Sequence, residues 1–456
     1  MNATLQNTLN APRYRNDGTL VIQGGRPIHG TIKVRGAKNS VPKNMVAALL
    51  TEEITEIRSV ADVRDVAIMA ELVAAIGGQV TRNALDGSLT MDPRHIAPMS
   101  PDTAAHFSDI SRIPILLCGP LLHRFGEAFI PNLGGCVIGA RPIDFHLAAL
   151  KQFGATLEER ADGIYLTATH LRGARINLDF PSVGATEQVI LTAVLAEGET
   201  ELSNAAVEPE IMDLIGQLQK MGAQITVETD RVIRINGVKK LRGCVHVALP
   251  DRLEVASWAC AAAATDGEIF VEGARHGDLF AFLNAYMRAG GDFEVTETGI
   301  WFRRSQQGLH PVCLETGVHP GFMTDWQQPF ATMLTQAAGV SIIHETVYEG
   351  RFGYVHALNK MGANIALRTD CLGSRCRFGR LNHEHSAIIS GPTPMQGSHI
   401  AIPDLRAGFS YVIAGLIANG TSHISNIGLI QRGYEFFNEK LTSLNVDFEI
   451  TGRNNK

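Results

Sequence analysis

One order of apolar and polar segments recurs six times along the chain: a strand, a helix of small apolar residues, a glycine-containing turn, a second strand, a second helix and a Gly-Ala or Gly-Gly stop. The first copy runs from Gly30 through Asn39, then Met45 to Leu50, Ile54 to Ile57, and stops at Gly77-Gly78. The third runs Leu171 to Leu178, Ile190 to Ala196, Glu197 to Leu202, with its stop at Gly222-Ala223; the fourth runs Leu241 to Val247, Ala256 to Ala264, Asp266 to Val271, with its stop at Gly290-Gly291. Gly154-Ala155 and Gly362-Ala363 mark two further stops, and the last copy opens at Met395 to Ile402. The stops fall roughly 70–80 residues apart, longer than the 20–50-residue period of a solenoid. Each copy is therefore a folding unit with its own helices and strands.

The two helices of a copy differ in pattern. Ala256 to Ala264 is apolar or small all round, which predicts a buried helix. In the second helix of the first copy, Met69, Leu72, Val73 and Ile76 share one face and polar or small residues fill the other, which predicts a helix lying on a surface. Strand segments such as Arg175 to Leu178 alternate polar and apolar residues, as a half-exposed sheet does. Helices are thus expected inside and sheets outside, an inside-out α/β barrel. Six copies divide naturally into two globes of three.

Composition narrows the class. The 456 residues allow two or three domains. With 45% apolar and 19% charged residues the chain is an ordinary globular sequence. A net charge of −6 and a pI near 6.2 argue against nucleic acid or an anionic membrane as the main partner. The longest uncharged apolar run, Ile113 to Leu122, is too short to span a bilayer. Residues 1–17 are polar, with Asn2, Asn7, Asn10 and Asn16, and lack the apolar core of a signal peptide. They are expected to form a loose tail. Seven scattered cysteines make no disulfide framework, so the cytoplasm is the expected compartment.

Eight motifs carry the candidate chemistry: Arg35-Gly-Ala-Lys-Asn39; Gly134-Gly-Cys-Val-Ile-Gly-Ala-Arg-Pro-Ile-Asp144; Ser182-Val-Gly-Ala-Thr186; Asn204-Ala-Ala-Val-Glu-Pro-Glu-Ile211; Leu249-Pro-Asp-Arg252; His319-Pro-Gly-Phe-Met-Thr-Asp325; Glu345-Thr-Val347 with Arg351; and Asp404-Leu-Arg406. In this order and spacing they resemble the enolpyruvyl transferases, and among those the sugar-nucleotide branch, from about Gly24 to Ile450. The resemblance implies two globes, about 1–37 with 250–456 and about 38–249, the second carrying the Cys136 loop. It also implies transfer of the enolpyruvyl group of phosphoenolpyruvate to the 3-hydroxyl of UDP-N-acetylglucosamine, with no cofactor and no metal.

Such substrates bring a carboxylate, a phosphate monoester and a diphosphate, which guanidinium and ammonium groups hold best. Lys38, Arg141, Arg351 and Arg406 stand in the motifs, and Arg112 outside them. By resemblance Lys38, Asn39, Arg141 and Arg406 hold phosphoenolpyruvate. Arg112, Arg141, Pro142, Ile143, Asp144, Phe145, Ser182, Val183, Asp325 and Val347 face the sugar nucleotide. Cys136, in a glycine-rich segment near Arg141, has the setting of a reactive thiol. The resemblance makes it the general acid of the addition step and the residue that fosfomycin alkylates; some members carry Asp there and resist the drug. Asp325 is the expected proton acceptor, from the sugar hydroxyl or from the methyl group, and a helix cap near Trp326 is a role it can fill as well.

Three features stand apart. Phe180 occupies a place where relatives often carry a lysine, so the nucleotide contact there differs. Cys371, Cys376, His383 and His385 crowd together, but their spacing fits a zinc site loosely, and a polar loop or hairpin is expected instead. Gly134 to Gly139 lacks the strand–helix context of a dinucleotide loop. The alternatives are an enolpyruvyl transferase for a nucleoside monophosphate or shikimate 3-phosphate, and a silent paralogue that only binds a sugar nucleotide.

Overall fold

The computed structural model describes residues 18–83, 86–108, 110–133 and 142–452, without the side chain of Arg406. Cys136, Arg141 and the 1–17 segment lie outside the described residues. Among those described, no helix is long and apolar enough to cross a membrane.

The repeat pattern becomes six sheets, five of four strands and one of three. The third copy shows the plan. Arg175–Asn177 pairs in parallel with Glu199–Ser203, which is antiparallel to Val232–Asn236, itself antiparallel to Gln224–Glu228. The alternating residues Ile176, Leu202, Ile233 and Ile235 turn inward and are buried. Between the first two strands runs the helix Val183–Ala193, buried from Ala185 onward. Between the second and third runs Pro209–Met221, whose Ile211, Leu214, Ile215 and Leu218 form its inward stripe.

Two compact units result. One reaches Val34 and resumes at Pro250; the other runs from Arg35 to Leu249. In the first, the helices Arg252–Ala264, Gln327–Leu334 and Leu405–Ile417 pack on one another. All thirteen residues of Arg252–Ala264 are buried, as its all-round apolar pattern predicts. Asp251 caps it, accepting hydrogen bonds from the Leu253 and Glu254 amides at 2.9 and 3.2 Å. The second unit has its own core, where Cys118–Phe125 packs on Val183–Ala193. In each unit the apolar side chains form one continuous cluster. Helices lie inside and sheets outside, as expected.

The predicted stops are helix ends in the left-handed region. Gly77, Gly154, Gly222, Gly290 and Gly362 have φ of 95°, 102°, 106°, 86° and 104°, a conformation that glycine adopts without a Cβ clash. In the last copy Asn445 takes the same role at φ 56°.

The grouping of strands differs from the order of the copies. His29–Lys33, the opening strand of the first copy, pairs in parallel with Glu268–Glu272 of the fourth. Val245–Val247, the opening strand of the fourth, pairs with Thr55–Arg58 of the first. The two copies exchange their first strands where the chain passes from one unit to the other. Likewise Thr19–Gln23 supplies the inner strand of the last sheet, between Thr421–Ser425 and Asp447–Thr451.

Candidate active site

In the second unit the Arg35–Ser40 segment is clamped by the strands beside it. The Gly36 amide donates to the Ser59 carbonyl at 2.7 Å and the Ala37 amide to the Leu249 carbonyl at 2.7 Å. A Cβ on Gly36 would stand 2.6 Å from the Ser59 oxygen and 2.9 Å from Ala248, so only glycine lets the segment sit this close. Lys38 follows, its ammonium 2.8 Å from the Asp65 carboxylate in the first turn of the helix Arg64–Ala75. Both side chains are largely buried. Lys38 is therefore a fixed cation anchored by Asp65.

A second anchor lies just beyond. The Asp213 carboxylate accepts from the Ser40 hydroxyl, from Asn44 Nδ2 at 2.8 Å and from His246 Nε2 at 2.9 Å. Burial pushes the Asp213 pKa up, but His246, Ser40 and Asn44 outweigh it and hold the pKa below the ordinary value. Asn39 is tied through its own carbonyl, which accepts from Lys43 Nζ at 2.7 Å, and the same ammonium lies 3.5 Å from Glu187. Glu187 belongs to the helix Val183–Ala193. Burial raises its pKa to about 7 against the pull of Lys43, with Glu210 and Glu208 adding to the rise.

That helix leads to the expected sugar-nucleotide residues. Ser182 caps it, accepting from the Ala185 amide at 3.3 Å. Gly184 gives space to a neighbour: a Cβ there would lie 3.0 Å from His146 Nε2. His146 stands in the helix Asp144–Gln152, one residue after Phe145. Ile143, Phe145 and Val183 are half-buried against the core, while Pro142 and Asp144 are exposed. Arg112 is close enough to act on His146: burial first, and this guanidinium second, push the His146 pKa down to about 4. His146 thus joins Arg112, the 142–145 segment and the Ser182-Val-Gly motif around one buried neutral imidazole. Motif reading missed it, because a histidine inside an apolar helical pattern carries no local signal.

The His146 shift has a consequence for stability. The unfolded chain takes up this proton below the ordinary value of 6.5, and the folded chain does so only near 4. Folding is therefore weakened as pH falls between those values, by up to about 3 kcal/mol at the lower end. In thermal melts, His146→Gln should flatten the loss of Tm between pH 7 and pH 5. A slope equal to that of the wild type would show that His146 does not titrate this way.

The first unit holds the other expected catalytic group. Asp325 lies in a single turn, Thr324–Trp326, ahead of the helix Gln327–Leu334. Its carboxylate accepts from Arg351 Nη2. Arg351 is 3% exposed, and its guanidinium also donates to Thr324 Oγ1 at 3.2 Å and to the Thr324 carbonyl at 3.3 Å. Arg351 positions Asp325.

Beneath them Glu345 is fully buried. It accepts from the amides of Val347 and Tyr348 at 2.8 and 3.1 Å and from the Thr324 hydroxyl at 2.9 Å. Burial raises its pKa, opposed by Arg351 and these hydrogen bonds. The Glu345-Thr-Val347 motif and Asp325 are therefore one bonded network, with Val347 half-buried at its edge. At the last motif, Asp404 Oδ1 accepts from the Ala407 amide at 3.1 Å and so caps Leu405–Ile417 around Arg406.

The cysteine–histidine stretch is a loop, as expected, but it gathers side chains. Cys371, Cys376 and His385 come together, but the fourth member is His344 from a distant strand, not His383. Among the described residues the ligand-capable atoms of these four lie within 4.8 Å of one another.

A family model described as EPSP synthase (3-phosphoshikimate 1-carboxyvinyltransferase) matches residues 22–441. The chain belongs to this family of enolpyruvyl transferases. It is 47% identical over 441 residues to the UDP-N-acetylglucosamine 1-carboxyvinyltransferase of Protochlamydia amoebophila, covering 94% of each chain. It is 43% identical to the protein of the same name from Acidiphilium cryptum, over 94% of this chain and 98% of that one. Among solved structures, the enolpyruvyl transferase NikO from Streptomyces tendae superposes with a TM-score of 0.84 at 23% identity, covering 95% of this chain and 99% of that one. EPSP synthase from Acinetobacter baumannii superposes at 0.73 and 16% identity, over 95% and 100%. These two likenesses concern the fold.

Proposed function

We propose that this protein transfers the enolpyruvyl group of phosphoenolpyruvate to the 3-hydroxyl of UDP-N-acetylglucosamine, releasing phosphate, as the committing step of peptidoglycan synthesis in the cytoplasm. One observation carries the reading: the relatives that bear this activity in their name match at 43–47% identity across nearly the whole of both chains. The six described cysteines are free, in keeping with a reducing compartment.

The reaction proceeds by addition and elimination. The sugar 3-hydroxyl oxygen bonds to C2 of phosphoenolpyruvate, the Cys136 thiol supplies the proton taken up at C3, and a tetrahedral phospho-ketal forms. Phosphate then leaves C2, a proton leaves C3 and the double bond returns. Asp325 accepts a proton, from the hydroxyl in the first step or from the methyl group in the second. Its support is the Arg351 fork, which sets the direction of the carboxylate. Lys38, Asn39, Arg141 and Arg406 hold phosphoenolpyruvate. Lys38 is suited to this by its Asp65 anchor, which holds the ammonium in place. Arg112, Arg141 to Phe145, Ser182, Val183 and Val347 receive the sugar nucleotide, with His146 as a positioning residue beneath Arg112. No step needs a metal or an organic cofactor.

The test is phosphate release from phosphoenolpyruvate with UDP-N-acetylglucosamine, shikimate 3-phosphate and uridine monophosphate offered in turn. Turnover is expected with the first alone. Turnover with either of the others, or with none, would overturn the reading. In the same preparation fosfomycin should add one label, mapped by peptide mass spectrometry to Cys136, and Cys136→Asp should remain active and unlabelled. Label on another cysteine would remove Cys136 from the mechanism.

A further inference from the structure

The strands Gly339–His344 and Ser386–Gly391 pair antiparallel, with His344 opposite Ser386 at the end of the ladder. Between Arg368 and Ser386 the chain makes a seventeen-residue connection with no helix or strand. Connections of this length in a compact domain are uncommon without something to order them. This one folds back on the sheet end, bringing Cys371, Cys376 and His385 against His344.

The four side chains are disposed as ligands. Cys371 Sγ lies 3.6 Å from Cys376 Sγ and 3.4 Å from His385 Nε2. The edges of a tetrahedral zinc site with two thiolates and two imidazoles are about 3.3–3.8 Å, from metal–ligand bonds of ~2.0–2.3 Å. A disulfide would need the sulfurs at about 2.05 Å. Both histidines are completely buried, and both are oriented from the far side of the ring. His385 Nδ1 donates to the His383 carbonyl at 2.7 Å, and His344 Nδ1 donates to the Glu315 carboxylate at 3.1 Å. Each Nε2 is thereby left with a lone pair, the arrangement that orients metal-bound histidines in proteins. Among the described residues, the buried His344 Nε2 has no hydrogen-bond partner. Glu315 also accepts from the Ser374 amide at 2.7 Å, and a Cβ on Gly373 would fall 2.5 Å from His344 Nδ1, so the loop closes on the ring at a residue without a side chain.

We infer that His344, Cys371, Cys376 and His385 bind one zinc ion in a closed Cys2His2 site. Two thiolates with two imidazoles favour zinc over harder cations, and four protein ligands leave no position for substrate, so the ion is structural. Its task follows from what the loop touches. The His385 carbonyl accepts from the Glu345 amide at 2.7 Å, and Arg377 Nη2 donates to the Val347 carbonyl. The zinc-bound loop thus braces the Glu345-Thr-Val347 segment from outside.

The test uses the full-length, untagged protein. After dialysis against metal-free buffer, elemental analysis should find one zinc per chain. Cobalt(II) exchanged into the site should give the intense visible and thiolate charge-transfer bands of a tetrahedral sulfur–nitrogen site. Zinc should protect Cys371 and Cys376, but not the exposed Cys313, from alkylation mapped by mass spectrometry. Glu315→Gln should weaken zinc binding by about 10–100-fold, Cys371→Ser should abolish the cobalt bands, and His383→Gln should leave them. Because the cobalt and alkylation readings need only the wild type, they stand even if a cysteine variant misfolds. The proposal is overturned if wild-type protein takes up neither metal, if Cys371 and Cys376 prove to be joined as a disulfide, or if the cobalt bands survive in Cys371→Ser.

Discussion

Asp325→Ala should lower kcat by about 10²–10⁴, the span that positioned acid–base groups contribute, while UDP-N-acetylglucosamine affinity stays within about tenfold. The split between the two numbers is the informative part, since the Asp325 side chain is 20% exposed while its carboxylate accepts from Arg351. If Asp325 only held the fold, its loss would remove the ion pair that the buried Arg351 guanidinium makes with it, and Tm would fall together with kcat. A role in proton transfer predicts a different pattern, in which Asp325→Asn retains a hydrogen-bond acceptor for Arg351 and recovers most of the stability but none of the turnover. Steady-state kinetics, calorimetric titration of the sugar nucleotide and thermal melts on both variants separate the cases. Near-wild-type turnover in Asp325→Ala would remove this residue from the chemistry.

Much of the architecture was legible in the sequence because it follows from local pattern. The all-round apolar run at Ala256 to Ala264 demands burial, the Met69, Leu72, Val73, Ile76 stripe demands one covered face, and the five glycine stops demand positive φ. What local pattern does not carry is the choice of partner between equivalent strands. His29–Lys33 and Val245–Val247 each fit a parallel edge beside any of the six units, and the exchange between the first and fourth copies is decided by chain connectivity and packing between strands far apart in sequence. The same limit applies to the site. Lys38, Asp325 and the Ser182 motif are candidates because their neighbours in sequence resemble a family. Asp65 pairs with Lys38, His146 lies against Gly184, Asp213 holds Ser40 and Asn44, and Glu187 pairs with Lys43, and a carboxylate or imidazole in an amphipathic helix gives no sign of which side it serves. His344 is the sharpest case. In Gly339–His344 it is one more strand residue, and only the folded sheet brings it to Cys371, Cys376 and His385.

Lys38→Ala should cripple the use of phosphoenolpyruvate and destabilise the protein, and the two effects can be pulled apart. Truncating one member of a buried charge pair costs about 2–5 kcal/mol; if that loss appears in transition-state binding, kcat/KM for phosphoenolpyruvate falls by roughly 30- to several-thousand-fold. The fold suffers separately, because the Asp65 side chain, 9% exposed, loses its ion pair with Lys38, a penalty of about 3 kcal/mol or more. Asp65→Asn isolates the anchor: it keeps the Lys38 charge but frees the ammonium, so KM for phosphoenolpyruvate should rise while sugar-nucleotide affinity holds. The double variant decides between roles. Lys38→Ala with Asp65→Asn leaves no uncompensated charge, so Tm should return most of the way to that of the wild type, the coupling expected of residues in direct contact. Activity should stay as low as in Lys38→Ala, since the Lys38 ammonium is missing from the substrate in both variants. If the double variant instead recovers kcat/KM along with Tm, Lys38 is a structural partner of Asp65, and phosphoenolpyruvate is held by other groups.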